Sequence, residues 1–157
     1  MSPNRQNRFP KTGATPEERR IKIGGDPESF DKQDIAWQFH RMDKTHNKWG
    51  WGQLHAPQWG RVLQSLVSFE GLTWSQIKET AGGRRHGTNH HSLRMGELNK
   101  AARDRIIELG LEQYDKVFSL RLSNTLRIYG IRDGRVMRLL WYDPYHSTQG
   151  GVCPTTR

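Results

Sequence analysis

Arginines recur along residues 116–146, where apolar and polar side chains alternate as they do in strands. A guanidinium group can hold a phosphate through two hydrogen bonds, and hydroxyl groups can add further donors. Like charges opposite one another destabilise a sheet, so the pattern predicts an anionic ligand. A solvated basic face without a ligand is the alternative. The predicted phosphate-binding face carries Ser119, Arg121, Arg127, Tyr129 and Arg138.

Histidines in two other segments could transfer protons near neutral pH. His146 follows the last predicted strand, and the glycine-flanked loop 82–96 carries His90 and His91. We expect an acid and a base among these three, with Tyr129 as another proton donor. The same loop offers Arg84 and Arg85 for phosphate, although it could simply be exposed. No Cys, Asp or Glu completes a recognisable ligand spacing there, so no metal is expected.

Three antiparallel strands are predicted to position the arginines, over residues 117–122, 126–132 and 135–142. Burial of Leu122 selects a three-residue loop between the first two strands, because a slip of one residue would turn apolar side chains to solvent. That register sets Arg121 directly opposite Arg127.

The dipeptide Asp133-Gly134 joins the second and third predicted strands and favours a two-residue turn. Counting outward from this turn sets Tyr129 opposite Arg138. The apolar face of this hairpin is then predicted to carry Leu126, Ile128, Met137, Leu139 and Trp141.

Helices are predicted before the strands, over residues 30–46, 57–69, 74–81 and 97–109. This order is typical of an α+β domain in which an N-terminal helical layer packs on a C-terminal antiparallel sheet of at least three strands. The arginine face would stay open. The domain is expected over residues 26–146, between a flexible basic arm at 1–25 and a tail at 147–157.

The composition favours a polyanionic partner, with nucleic acid first among the candidates. The chain has 25 Lys and Arg residues against 16 Asp and Glu residues, for a net charge of +9. No segment approaches the roughly 20 apolar residues of a membrane helix, and no signal peptide is evident. We therefore expect no membrane contact and a cytoplasmic location. With Cys153 as the only cysteine, no intrachain disulfide can form.

Helices followed by an arginine-bearing sheet, with aromatic and histidine residues after the last strand, resemble the RelE-like toxins and the broader group of barnase-like and colicin-type RNases. The resemblance covers about residues 97–146. It implies RNA cleavage by 2′-hydroxyl attack, without metal or cofactor, by a toxin that an antitoxin restrains. The residues that match the family's cationic, tyrosine and histidine roles are Arg121, Arg127, Tyr129, Arg138 and His146.

Two other functions stay open. The predicted helices at 57–69 and 74–81 could form a helix-turn-helix that binds DNA, with Gln76 and Lys78 reaching the bases. A basic interaction protein that binds an acidic partner, such as an antitoxin or a phage component, also fits the charge. Metal-free RNA cleavage that leaves a 2′,3′-cyclic phosphate would separate the nuclease from both.

Overall fold

Three α-helices and five strands make up the part of the chain that a computed structural model describes, residues 30–80, 90–146 and 148–154. The helices are α1 (Ala56–Glu70), α2 (Trp74–Glu79) and α3 (Lys100–Glu108). The strands are β1 (Ala36–Gln38), β2 (His91–Arg94), β3 (Lys116–Arg121), β4 (Arg127–Asp133) and β5 (Val136–Asp143). The α+β class is as predicted.

The strands form one mixed sheet in the order β1-β5-β4-β3-β2. β1 runs parallel to β5, and the other neighbouring pairs are antiparallel. The expectation of a purely antiparallel sheet is therefore wrong. β1 and β2 are short edge strands of three and four residues. Runs this short carry too little alternation to be recognised as strands in the sequence.

The predicted helix over residues 30–46 is wrong, because this segment contains β1 and irregular backbone. The Ile35 N–H donates to the Leu72 carbonyl and the Ala36 N–H to the Arg135 carbonyl, each at 3.1 Å. Phe39 is 44% exposed, so the helical spacing of Ile35 and Phe39 does not mark a buried stripe. Sheet pairing satisfies the backbone groups that a helix would otherwise have satisfied.

The other three predicted helices correspond to α1, α2 and α3, with ends that differ by up to three residues. α2 begins with a capping box. The Thr73 hydroxyl accepts a hydrogen bond from the Gln76 N–H at 3.2 Å, and the Gln76 side chain accepts one from the Thr73 N–H at 2.9 Å. Asn99 caps α3 by accepting from the Ala102 N–H at 2.8 Å. Among the described residues, no helix has the length and apolar character needed to cross a membrane.

Apolar side chains cover both faces of the sheet. The α1 core lies on one face and includes Val62, Leu66, Trp74, Ile77, Phe118, Leu120, Ile128, Met137 and Leu139. The α3 core lies on the other and includes Trp49, Leu98, Ala102, Ile106, Tyr129, Ile131, Leu140, Trp141 and Val152. The expectation of an arginine face left open to solvent is wrong, because α3 and the C-terminal segment pack on it.

The register between β3 and β4 is confirmed. Arg121 pairs directly with Arg127. The Leu122 N–H donates to the Leu126 carbonyl at 3.0 Å, which closes the predicted three-residue loop at 123–125. Leu122 and Leu126 both pack against the α1 core, so the burial requirement that selected this register holds.

The predicted register between β4 and β5 is wrong. Asp133 pairs with Val136, and the register shifts again between Tyr129 and Gly130, so Tyr129 lies opposite Trp141 and not opposite Arg138. At Gly130 a Cβ atom would lie 2.5 Å from the Arg138 carbonyl oxygen, which explains why this irregularity contains glycine. Trp141 consequently lies in the α3 core and not with Ile128 on the α1 side.

Candidate active site

Arg121 and Arg127 are held side by side by the loop that joins their strands. Arg127 Nη1 donates to the carbonyl oxygens of Ser123 at 2.5 Å and Leu126 at 3.0 Å. Arg121 Nε donates to the same Ser123 oxygen at 3.2 Å, and its Nη2 donates to Asn124 Oδ1 at 2.7 Å. Loop oxygens therefore offset the repulsion that an anionic ligand was expected to offset. A guanidinium has five N–H groups, and the two bonds of Arg127 use only its Nη1, so Arg127 keeps N–H groups for a ligand.

Arg127 is a buried cation, with only 6% of its surface exposed. Among the described residues, no carboxylate oxygen lies within 4.0 Å of its guanidinium. Burial lowers the pKa of Arg127, and the neighbouring Arg121 lowers it further. Because buried charges are ordinarily paired, this guanidinium creates a positive potential that an anion would neutralise.

A row of polar side chains crosses the sheet beside Arg127. Tyr129 lies two residues along β4 on the same face, Ser119 pairs with Tyr129, and His91 pairs with Ser119. His91 and Ser119 thus lie on the Arg127 side of the sheet.

His146 joins this row from the turn after β5. Its backbone N–H donates to the Thr125 carbonyl at 3.0 Å, in the arginine loop. Burial lowers the pKa of His146 to about 4, and the fields of Arg127, His91 and Arg121 contribute to the same shift. These side chains are therefore close enough to repel a proton on His146, which is neutral at pH 7.

Unsatisfied polar atoms are concentrated at this row. Within the described residues, six buried side-chain nitrogen or oxygen atoms have no hydrogen-bond partner, and three of them are His91 Nδ1, Ser119 Oγ and His146 Nδ1. Buried polar atoms without partners are uncommon and call for an explanation such as a ligand or a catalytic role. We define the cationic histidine site as Arg121, Arg127, His91, His146 and Ser119.

His90 lies on the opposite side of the strand from His91. Its ring meets Phe69 edge to face at 5.4 Å, and its Nδ1 accepts a hydrogen bond from the Arg121 N–H at 3.0 Å. Burial lowers the pKa of His90 to about 4, with Arg127 and Arg121 contributing. His90 therefore holds the backbone of Arg121, and its Nδ1 is not available for proton transfer.

Tyr129 was expected on an open face, but its side chain is fully buried in the α3 core. Its hydroxyl lies 3.3 Å from the Cys153 sulfur. Burial raises the pKa of Tyr129, and Cys153 raises it further. A proton donor must reach its substrate, so Tyr129 does not fit that role. It packs in the core below the site instead.

Arg138 is not in the cationic histidine site. Arg138 pairs with Ile131, away from Arg127, and its guanidinium bonds the Asp133 carboxylate and the Tyr114 hydroxyl. Its expected role in supporting phosphate therefore does not fit its position. Arg84 and Arg85 lie outside the described residues.

Asp143 is a buried carboxylate that was not among the predicted site residues. It pairs with Arg127 in the sheet register, and its oxygens accept the N–H groups of Tyr145 and Val152, each at 2.8 Å. Burial raises the pKa of Asp143, while these hydrogen bonds and Arg127 oppose the shift. The error in the β4–β5 register hid this residue, since it set Arg127 opposite Leu140.

The residues near the site give no sign of a metal centre. Within the described ranges, no three His, Cys, Asp or Glu side chains are grouped closely enough to hold an ion. The chain matches no protein-family model, no curated protein and no solved structure. The function must accordingly be inferred from the chemistry of the cationic histidine site itself.

Proposed function

We propose that this protein binds RNA at the cationic histidine site and cleaves it by metal-independent transesterification. One observation carries the proposal: two half-buried histidines, whose buried Nδ1 atoms have no hydrogen-bond partner, lie beside a buried arginine that has no carboxylate within 4.0 Å among the described residues. Two imidazoles and a cation are the groups that this reaction needs, since one proton must be removed, another supplied and negative charge stabilised.

In the proposed reaction, His146 accepts the proton of the ribose 2′-hydroxyl, because its lowered pKa of about 4 keeps it neutral at pH 7. The 2′-oxygen attacks the adjacent phosphorus, and the bond from phosphorus to the 5′-oxygen breaks. His91 supplies a proton to the departing 5′-oxygen. Arg127 and Arg121 stabilise the charge that builds on the phosphate. The products are a 2′,3′-cyclic phosphate and a 5′-hydroxyl.

The test is incubation of the purified protein with RNA and with DNA of the same sequence, in the presence of a chelator. We expect RNA fragments that end in 2′,3′-cyclic phosphate and no cleavage of DNA, which lacks the attacking hydroxyl. His146→Ala and His91→Ala should each lower the rate by about 10²- to 10⁴-fold. His40→Ala, at an exposed histidine, is the matched control. Losses below tenfold for both site variants would remove this mechanism.

The helix-turn-helix alternative has less support. α2 has only six residues, and its Trp74 and Ile77 are buried. Gln76 is used in the capping box, and Lys78 donates to the Asp31 carboxylate at 2.6 Å. The side chains that were expected to reach bases are thus already bonded within the protein. Sequence-specific duplex binding without RNA cleavage would restore this alternative.

The RelE-like relationship, a cytoplasmic location and restraint by an antitoxin belong to the same proposal. An acidic inhibitor would bind favourably over the buried charge of Arg127. A protein that only binds an acidic partner at this site would lose that binding on Arg127→Met but would leave RNA intact. The cleavage assay therefore separates the two functions.

A further inference from the structure

An apolar groove of about 450 Å³ lies between β1 and the second half of α1, where Phe39, Leu63 and Val67 line it together. These side chains are 44%, 49% and 65% exposed. Among the described residues, only two other large hydrophobic side chains are exposed to a similar extent, Ile107 and Tyr145, and neither lines the groove. Contiguous exposed apolar side chains of this kind mark interaction surfaces.

The groove runs beside the edge of the sheet. Among the residues that the structure describes, β1 is the outermost strand and pairs only with β5. The Ala36 N–H points to β5, where it donates to the Arg135 carbonyl at 3.1 Å. Backbone groups alternate along a strand, so the N–H and C=O of Trp37 point to the free edge. An unpaired edge next to apolar side chains is a template for another strand.

Charged residues of both signs line the groove: the carboxylates of Asp34 and Glu70 and the guanidinium of Arg135. Two copies of a chain with a net charge of +9 repel one another over most of their surface. A two-fold contact uses the same patch twice, so that patch must be complementary to itself. A groove with an apolar floor and both charge signs meets this requirement, and a second copy is therefore the occupant that the charges favour.

We infer that the groove is the interface of a homodimer. In this dimer, Trp37 of each copy exchanges backbone hydrogen bonds with Trp37 of the other across the two-fold axis. Val67, Leu63 and Phe39 are buried between the copies, and Glu70 of each copy faces Arg135 of the other. The cationic histidine site belongs to β2, β3, β4 and the turn after β5, away from the β1 edge, so the site of each copy lies outside the contact.

The first test is sedimentation equilibrium of the full chain. We expect a dimer, and we expect Val67→Asp to raise the dimer dissociation constant at least about tenfold by placing two carboxylates in the apolar contact. Ile107→Asp is the matched control, since Ile107 is 62% exposed on α3, outside the groove. Thermal unfolding should show both variants folded. A monomeric protein, or a dimer that Val67→Asp leaves unchanged, would overturn the inference.

Charge reversal tests the pairing directly. Glu70→Arg and Arg135→Glu should each weaken self-association about tenfold or more, because each brings like charges together. An equimolar mixture of the two variants should recover a heterodimer, since every arginine then faces a carboxylate. Arg135→Glu keeps the backbone carbonyl that β1 and Trp74 use. If the mixture stays as weakly associated as its components, the proposed contact is wrong and a different partner occupies the groove.

Discussion

Two buried charged residues on the same face of the sheet, Asp43 and Arg127, differ in how many hydrogen bonds and opposite charges surround them. Asp43 is 3% exposed and accepts two hydrogen bonds from Arg105 at 2.8 Å, one from Trp141 Nε1 at 3.0 Å, and two from backbone N–H groups at 3.2 Å. Arg127 is 6% exposed and, within the described part of the chain, bonds only two carbonyl oxygens. One charge is fully matched by its neighbours, and the other is not.

This difference separates a structural charge from a functional one. Burial alone would raise the pKa of Asp43, but hydrogen bonds from Arg105 and Trp141 lower it to about 2. The carboxylate therefore joins α3 to the loop before α1 and has no capacity left for a ligand. Arg127 feels the field of Asp143 but has no carboxylate within 4.0 Å among the described residues, and it lies next to two histidines with unpartnered nitrogens. Mutations at Asp43 and at Arg127 should therefore have different effects on stability, and Asp43 should titrate in a different pH range from the histidines beside Arg127.

The largest expected effect is a loss of stability when Asp43 is replaced. Asp43→Asn removes the buried carboxylate of the Arg105 pair and leaves Arg105 only the exposed Glu108, so it should lower the free energy of unfolding by about 3–5 kcal/mol. Denaturant unfolding of the wild type and the variant measures the loss. Asp104→Asn is the control, because the Asp104 pair with Lys100 is exposed and should contribute no more than about 0.5 kcal/mol. Equal effects of the two substitutions would contradict the assignment of Asp43 as a structural charge.

The next effect is on the pH dependence of stability. The histidines near Arg127 and the carboxylate of Asp43 should contribute to it in different pH ranges. The folded pKa values of His90 and His146 are about 4, below the ordinary 6.5, so the unfolded chain binds more protons between these values. Their contribution is fully present above pH 6.5 and is lost as the pH falls through 4, at up to about 1.4 kcal/mol per pH unit for each histidine. The contribution of Asp43 is present above 3.8 and is lost only as the pH falls toward 2.

Unfolding free energies measured across both windows check this separation. His90→Gln removes one titrating group while keeping an acceptor for the Arg121 N–H, so the slope between pH 6.5 and 4 should fall by one histidine's share. His40→Gln, at an exposed histidine, is the matched control. A slope that His90→Gln does not change would mean that His90 is not held neutral by its burial.

The sequence was sufficient to predict the β3–β4 register, because that register depends on the burial of a single side chain. Leu122 had to face a core, and this alone fixed the loop length and set Arg121 beside Arg127. The β4–β5 register was not predictable in the same way. A glycine irregularity at Gly130 shifts it within the strand, and nothing in the local alternation marks where the shift occurs.

Elements whose structure depends on partners far away in the chain could not be predicted from the sequence either. The spacing of Ile35 and Phe39 suggested a helix, but pairing with β5 and with the Leu72 carbonyl decides this segment. The role of Asp143 could not be recognised without the correct register, and the loop oxygens that hold the arginines are backbone atoms, which carry no residue-type signal. Local patterns therefore located the arginines and histidines but not the groups that position them.

The smallest expected effect on stability, and the sharpest test of the comparison, is at Arg127. Replacing a buried cation that lacks a carboxylate by an apolar side chain is often neutral or stabilising, so Arg127→Met should change the free energy of unfolding by no more than about 1 kcal/mol. The carbonyls it releases stay satisfied, because Ser123 is exposed to water and the Leu126 oxygen still accepts N–H groups from Leu122 and Ser123. RNA binding and cleavage should nevertheless be lost. If Arg127→Met instead lowered the free energy of unfolding by about 3 kcal/mol or more and left RNA binding intact, Arg127 would be a structural charge like Asp43.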